Sequence, residues 1–120
     1  MPQRNPEAYL SDIVESCDAI ASAISGLTLS LYEGNRLVRS SVEREFIIIG
    51  EAVSAIPLEI RRTYSDVPWT KIVRVRNIVI HRYFGVDTGT LWVIIKEQIP
   101  QLKEQVSTIT KDWMNCSDHE

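Results

Sequence analysis

Apolar residues recur at spacings of three and four along most of this chain, and this period constrains the fold more than any other sequence feature. The first stripe comprises Leu10, Ile13, Val14, Cys17, Ile20, Ala21 and Ile24. The second comprises Val38, Val42, Phe46, Ile49, Ala52, Val53 and Ile56, and the third comprises Leu91, Ile95, Ile99, Leu102, Val106, Ile109 and Trp113. Each stripe fits one face of an α-helix, and no stretch shows sustained strand-like alternation. The pattern predicts an all-α, up-and-down bundle of four to five helices.

Capping and helix-breaking residues set the expected limits of the helices. The four main helices are expected to begin at Asn5-Pro6, near Asn35, at Pro68-Trp69 and at Asp87. The first three are expected to end before Gly26, at Pro57 and at about Tyr83, before Gly85. Pro100 predicts a kink in the fourth helix. Ile47 and Ile48 lie off the second stripe, so we expect that helix to be buried on several sides, with a partner subunit covering part of it.

Length and composition indicate an ordinary globular chain. With 120 residues, 44% hydrophobic and 24% charged, residues 1–120 are expected to form one domain, with a polar tail at about 115–120. The apolar runs are too short to cross a bilayer, and no secretory signal is evident at the start. Cys17 and Cys116 do not suggest a disulfide framework or a metal site, and Cys17 lies on the first apolar stripe as an inert core residue. A cytoplasmic protein without a metal or cofactor is therefore expected.

Positive charge is concentrated in one segment of an otherwise acidic chain. Residues 67–86 contain four basic residues and no acidic residue, whereas the whole chain has a net charge of −3. The four are Lys71, Arg74, Arg76 and Arg82, and the same segment contains His81 and Tyr83. Such a segment is either a solvated helix face or a local site for phosphates, with Lys71, Arg74 and Arg82 gathering the substrate.

Arg76, Asn77 and His81 could together cleave RNA without a metal ion. A histidine exchanges protons near neutral pH, an arginine binds a phosphate through two hydrogen bonds, and RNA supplies its own nucleophile in the 2′-hydroxyl. On a regular helix Arg76 and His81 lie about 140° apart, so a shared site needs either a deformed helix end or a second copy of the helix. Other roles stay open: Arg76 could pair with Glu51, His81 could cap the helix, and Asn77 could orient His81 or contact the phosphate.

A wider series of residues surrounds this cluster. Arg76 to Tyr83 follows the pattern R-x4-H-x-Y, the second helix contains Gly50-Glu51-Ala52, and Pro68-Trp69 precedes the motif. Phe84-Gly85-Val86-Asp87, Leu91-Trp92 and Ile99-Pro100-Gln101-Leu102 follow it. In this order the features resemble the HepT-like proteins of the HEPN superfamily over most of residues 8–110.

The resemblance implies a fold, a function and roles for individual residues. It implies a dimeric helical bundle in which two motifs meet at a cleft, acting as a metal-independent ribonuclease with Arg76 and His81 as the catalytic pair. It also implies the toxin of a bacterial toxin–antitoxin pair. The partner is then an MntA-type nucleotidyltransferase antitoxin, which neutralises the toxin by transferring AMP to Tyr83.

Two other classes of function compete with a ribonuclease. The same cleft could be a non-catalytic module that binds a nucleotide or docks a nucleotidyltransferase, because arginine and histidine also bind nucleotides. Alternatively, the chain could be a helical scaffold in which Arg76 and His81 are structural. Substitution of His81 separates these possibilities. It should remove cleavage in a ribonuclease, weaken nucleotide binding in a binding module, and change only stability in a scaffold.

Overall fold

In a computed structural model, residues 5–81 and 87–117 are described, and within them every regular element is helical. The elements are α1 (Pro6–Ala23), α2 (Leu29–Glu33), α3 (Arg36–Ala55), α4 (Leu58–Thr63), α5 (Trp69–Ile80), α6 (Thr88–Val93), a π-helical segment (Ile94–Gln98) and α7 (Ile99–Ser117). α3 packs between α1 and α5, and α1 also packs against α7. The predicted all-α class is confirmed.

Side-chain caps begin the long helices where the sequence predicts. The backbone N–H of Glu7 donates to Asn5 Oδ1 at 2.9 Å, and that of Val38 donates to Asn35 Oδ1 at 3.1 Å. The chain leaves α1 through Gly26, whose φ of +76° falls in the region that glycine adopts without strain. Ala21 is exposed, so the first apolar stripe is narrower than predicted.

The apolar excess on α3 has an explanation within the chain. α3 has neighbours on two sides, and Ile47, off the main stripe, packs against the core. Burial between α1 and α5 therefore accounts for apolar surface that the sequence assigned in part to a partner subunit.

α5 begins as predicted and ends early. The indole Nε1 of Trp69 donates to the carbonyl of Tyr64 at 3.1 Å, which ties the start of α5 to the loop after α4. The helix ends at Ile80 with His81 as its C-cap, although the sequence predicts an end at about Tyr83. Arg82, Tyr83 and Gly85 lie outside the described residues.

The predicted fourth helix is a succession of three helical segments. Asp87 caps its start, accepting from the N–H of Gly89 at 3.1 Å and from Thr90 Oγ1 at 2.7 Å. The π-helical segment ends two residues before Pro100, so the irregularity expected from this proline is a widened helical turn. α7 then continues to Ser117, past the expected start of the polar tail.

Candidate active site on α3 and α5

The stem of Arg76 packs directly against the backbone of α3 at Gly50. A Cβ atom on Gly50 of α3 would stand 2.3 Å from both Cβ and Cγ of Arg76. No side chain fits at that distance, so only glycine at position 50 allows the stem of Arg76 to lie against the α3 backbone. The Gly-Glu-Ala segment, which carries part of the family resemblance, thus has a direct physical link to the motif arginine.

Two neighbouring side chains orient the Arg76 guanidinium. Its Nη1 lies 3.1 Å from Glu51 Oε1, and its Nε donates to Asn77 Oδ1 at 2.9 Å. The Arg76 side chain is only 18% exposed, whereas Glu51 is 64% exposed. The pairing of Arg76 with Glu51, which the sequence left as one possibility, is therefore present. Arginine has five N–H donors in a rigid plane, so these two contacts fix its orientation and leave other donors for an anion.

The Asn77 side chain serves Arg76. Because an arginine has no acceptor, the Asn77 oxygen must face it, and the Asn77 amide nitrogen points away as a donor. This bond orients Arg76 and not His81, which was the alternative role considered for Asn77. Asn77 reaches His81 through the backbone instead, since its carbonyl accepts from the His81 N–H at 3.1 Å.

His81 occupies the exposed end of α5. It is the C-cap, with φ −98° and ψ 38°, so the chain leaves the helix immediately after it. His81 therefore stands at the capping position that the sequence offered for it. α5 is regular as far as Ile80, so the separation of Arg76 and His81 around the helix remains, and the deformation begins at His81 itself.

The other predicted contacts divide into exposed residues and residues outside the described ranges. Lys71 and Arg74 are exposed on α5, and Arg74 shares a cavity of about 460 Å³ with Asn77. Arg82 and Tyr83 lie outside the described residues. Arg61 lines the same cavity and was not singled out from the sequence. Its signal was present in the Arg61-Arg62 pair, but residues 1–66 are acidic as a whole.

Cys17, predicted as an inert core residue, lies in the core of the bundle. Cys17 is buried, and burial raises the pKa of its thiol to about 12, so it is unreactive at neutral pH. The Cys116 side chain lies outside the described part of the chain. Among the described residues, no cluster of three or more histidine, cysteine or carboxylate side chains is arranged to hold a metal ion. No helix within those residues is long and apolar enough to cross a membrane.

Comparison with known proteins identifies relatives over nearly the whole chain. Residues 13–109 match the family described as Ribonuclease HepT-like. A Methanocaldococcus jannaschii protein whose name proposes an RNase is 37% identical over 109 residues, covering 91% of this chain and 100% of that protein. A Thermococcus cleftensis protein named "Probable ribonuclease HepT" is 34% identical over 109 residues, covering 91% of this chain and 99% of the relative.

A third relative matches over a similar share of the chain. A Caldanaerobacter subterraneus protein, also named for a proposed RNase, is 34% identical over 106 residues, which cover 88% of this chain and 95% of that protein. No solved structure matches the chain.

Proposed function

Because this chain belongs to the ribonuclease HepT-like family, we propose that it is a metal-independent endoribonuclease acting through Arg76 and His81. The observation that carries the proposal is the Arg76 guanidinium, held by Glu51 and Asn77 near the exposed helix end that bears His81. Two anchored contacts leave guanidinium N–H groups for a phosphate. We place this activity in the cytoplasm, where cellular RNA is available.

The proposed reaction is transesterification within the RNA strand. His81 removes the proton of a 2′-hydroxyl, and that oxygen forms a bond to the adjacent phosphorus. Arg76 stabilises the charge that develops on the phosphoryl oxygens. The bond from phosphorus to the 5′-oxygen breaks, and the departing oxygen takes a proton from a second His81 or from water. The products are a 2′,3′-cyclic phosphate and a 5′-hydroxyl.

A homodimer would place two such clusters in one cleft. Ile78 and Ile80 are 52% and 41% exposed on the motif helix itself, and an apolar surface next to a charged site favours burial against a second copy. Light scattering after size exclusion tests this, with Ile78→Glu expected to yield monomers. A monomeric parent protein would contradict the dimer.

RNA cleavage separates the ribonuclease from its two competitors. Parent protein and His81→Ala are incubated with total bacterial RNA in EDTA. Cleavage by the parent alone supports the proposal. RNA binding without cleavage, with the binding weakened by His81→Ala, would instead indicate the non-catalytic nucleotide-binding or docking module. If neither protein binds or cleaves RNA and His81→Ala changes only stability, the chain is a scaffold.

We further propose that the chain is the toxin of a toxin–antitoxin pair, neutralised at Tyr83. The Tyr83 phenol oxygen would attack the α-phosphorus of ATP held by an MntA-type nucleotidyltransferase, losing its proton and releasing pyrophosphate. The attached AMP adds bulk and negative charge to the motif that carries Arg76 and His81. The negative charge repels the RNA backbone. Tyr83→Phe should stay toxic when co-expressed with that partner. Silencing of Tyr83→Phe would contradict this assignment.

A further inference from the structure

A concave basic surface extends from the motif toward α4. The 460 Å³ cavity beside the motif is lined by Ser54, Arg61, Thr70, Val73, Arg74 and Asn77. An adjoining cavity of about 380 Å³ shares Arg61 and Thr70 and adds Arg62 and Lys71. We call the two together the α4–α5 groove. Four cations line it, and no carboxylate among the described residues does.

The Arg61 side chain in this groove is held in place by a hydrogen bond to the backbone. Its Nε donates to the carbonyl of Ile56, at the C-terminal end of α3, with a distance of 3.1 Å. That bond is half-buried and restricts the guanidinium, while no described residue bonds its two terminal nitrogens, which leaves them as donors for a ligand. Arg61 also lines both cavities, so it stands where an occupant of one would pass into the other.

The groove leads to the catalytic cluster. Asn77, whose oxygen accepts from Arg76 Nε, is part of its lining. Ser54, also in the lining, lies about one helical turn after Glu51 on α3. A strand whose reacting phosphate contacts Arg76 therefore has hydrogen-bond donors next to it on the side that faces α4.

The lining chemistry suits a sugar–phosphate backbone. Arginine and lysine bind phosphates, and the Ser54 and Thr70 hydroxyls and the Asn77 amide nitrogen add neutral donors. Trp69, the aromatic residue of the lining, is buried and offers no face on which a base could stack. Recognition in this groove should therefore depend on phosphates and be tolerant of sequence.

We propose that the α4–α5 groove binds the backbone phosphates of the RNA strand on one side of the cleavage site, with Arg61 as the anchoring residue. The inference rests on the proposed ribonuclease function for its choice of ligand. It extends the substrate contacts beyond α5 to a residue that neither the motif nor the local charge excess indicates.

The test measures binding separately from cleavage. A fluorescent single-stranded RNA with 2′-O-methyl groups has no nucleophile, so its dissociation constant can be measured by anisotropy over a range of salt concentrations. Arg61→Gln should raise the dissociation constant about tenfold and reduce the slope of log K against log salt by about 0.7, the contribution of one single-strand phosphate contact. Arg61→Lys keeps the charge and should keep the slope, although it loses the bond to Ile56.

The control is Arg36→Gln. Arg36 is exposed at the start of α3, about 27 Å along the helix from Ser54, so its loss of charge should change neither the affinity nor the slope. Circular dichroism verifies that each variant is folded. If Arg61→Gln does not fold, Lys71→Gln, an exposed substitution in the same groove, carries the same expectation.

Two outcomes would be decisive in different ways. If the groove variants keep the affinity and the salt slope while the parent still cleaves natural RNA, the proposed RNA binding in the groove is wrong and the proposed ribonuclease function stands. Groove-dependent binding by a parent that cleaves no RNA would support the groove and overturn the proposed catalysis.

Discussion

Arg76 and His81 lie on the same helix, but the fold holds them to very different degrees. Arg76 has its stem against Gly50 and its guanidinium on Glu51 and Asn77, with most of the side chain buried. His81 is exposed at the C-cap, immediately after the last residue of α5. The position of the arginine is thus set by packing between two helices. The position of the histidine is set by the end of α5 and by the groups that contact it there. Changes at the two positions should therefore separate activity from stability.

The largest predicted effect is on cleavage, and it should be shared by both residues. Arg76→Ala and His81→Ala should each lower kcat/KM by about 10²–10⁴, the range for loss of a proton-transfer or charge-stabilising group. Only Arg76→Ala should also lower the thermal midpoint clearly, because it removes buried stem and leaves Glu51 unpaired. Equal midpoints for the two variants would show that Arg76 contributes no more to stability than His81 does.

The next effect comes from Gly50→Ala. The new methyl group would overlap the Arg76 stem, so α3 and α5 must move apart, at a cost of about 1–3 kcal/mol of unfolding free energy. Cleavage should fall in the folded protein as well, because Arg76 is displaced. Gly34→Ala is the matched control, since its nearest neighbours lie 3.6 Å away or more. Urea denaturation measures both, and a Gly50→Ala protein as stable as the Gly34→Ala protein would refute the close approach.

Glu51→Gln should affect activity more than stability. The ion pair is exposed on the Glu51 side, so its loss should cost less than about 1 kcal/mol in unfolding free energy. Loss of a charged orienting partner should nevertheless lower kcat/KM about tenfold. Asp18→Asn breaks a comparable surface pair, Asp18 Oδ1 to Lys103 Nζ at 2.6 Å, away from the site, and should leave cleavage unchanged. If Glu51→Gln is as active as Asp18→Asn, Glu51 does not position Arg76.

The smallest predicted effect separates two ways of replacing Asn77. Asn77→Asp keeps an oxygen acceptor for Arg76 Nε, whereas Asn77→Ala removes it. One hydrogen bond of this kind is worth about 1 kcal/mol, so at saturating RNA the alanine variant should cleave several-fold more slowly than the aspartate variant. Single-turnover kinetics compares them directly. A more active alanine variant would show that the Asn77 oxygen does not act through Arg76.

The helices were largely readable from the sequence because their signals are local. Asn5, Asn35 and Asp87 cap helices as expected, since capping needs only a few neighbouring residues. The short helix α2 was missed because five residues are too few to show a period. The early end of α5 was also missed, because side chains of helical type continue to Tyr83.

The site was less predictable because it depends on the register between helices. The sequence places Glu51 and Arg76 on different helices, and only packing chooses Glu51 among the acids that Arg76 could meet. Arg61 was not predicted as a site residue for a related reason. It lies in a stretch that is acidic in sum, and only folding places it beside Arg74.

The central claim is that this chain supplies an arginine and a histidine while the RNA supplies the nucleophile. Its most direct test is a defined RNA, cut by the parent protein in EDTA, compared with the same RNA carrying a single 2′-deoxy nucleotide at the mapped cleavage position. We expect cleavage at that position to disappear and the unmodified RNA to end in a 2′,3′-cyclic phosphate. Cleavage of the deoxy-substituted position, or cleavage that requires an added metal ion, would contradict the account.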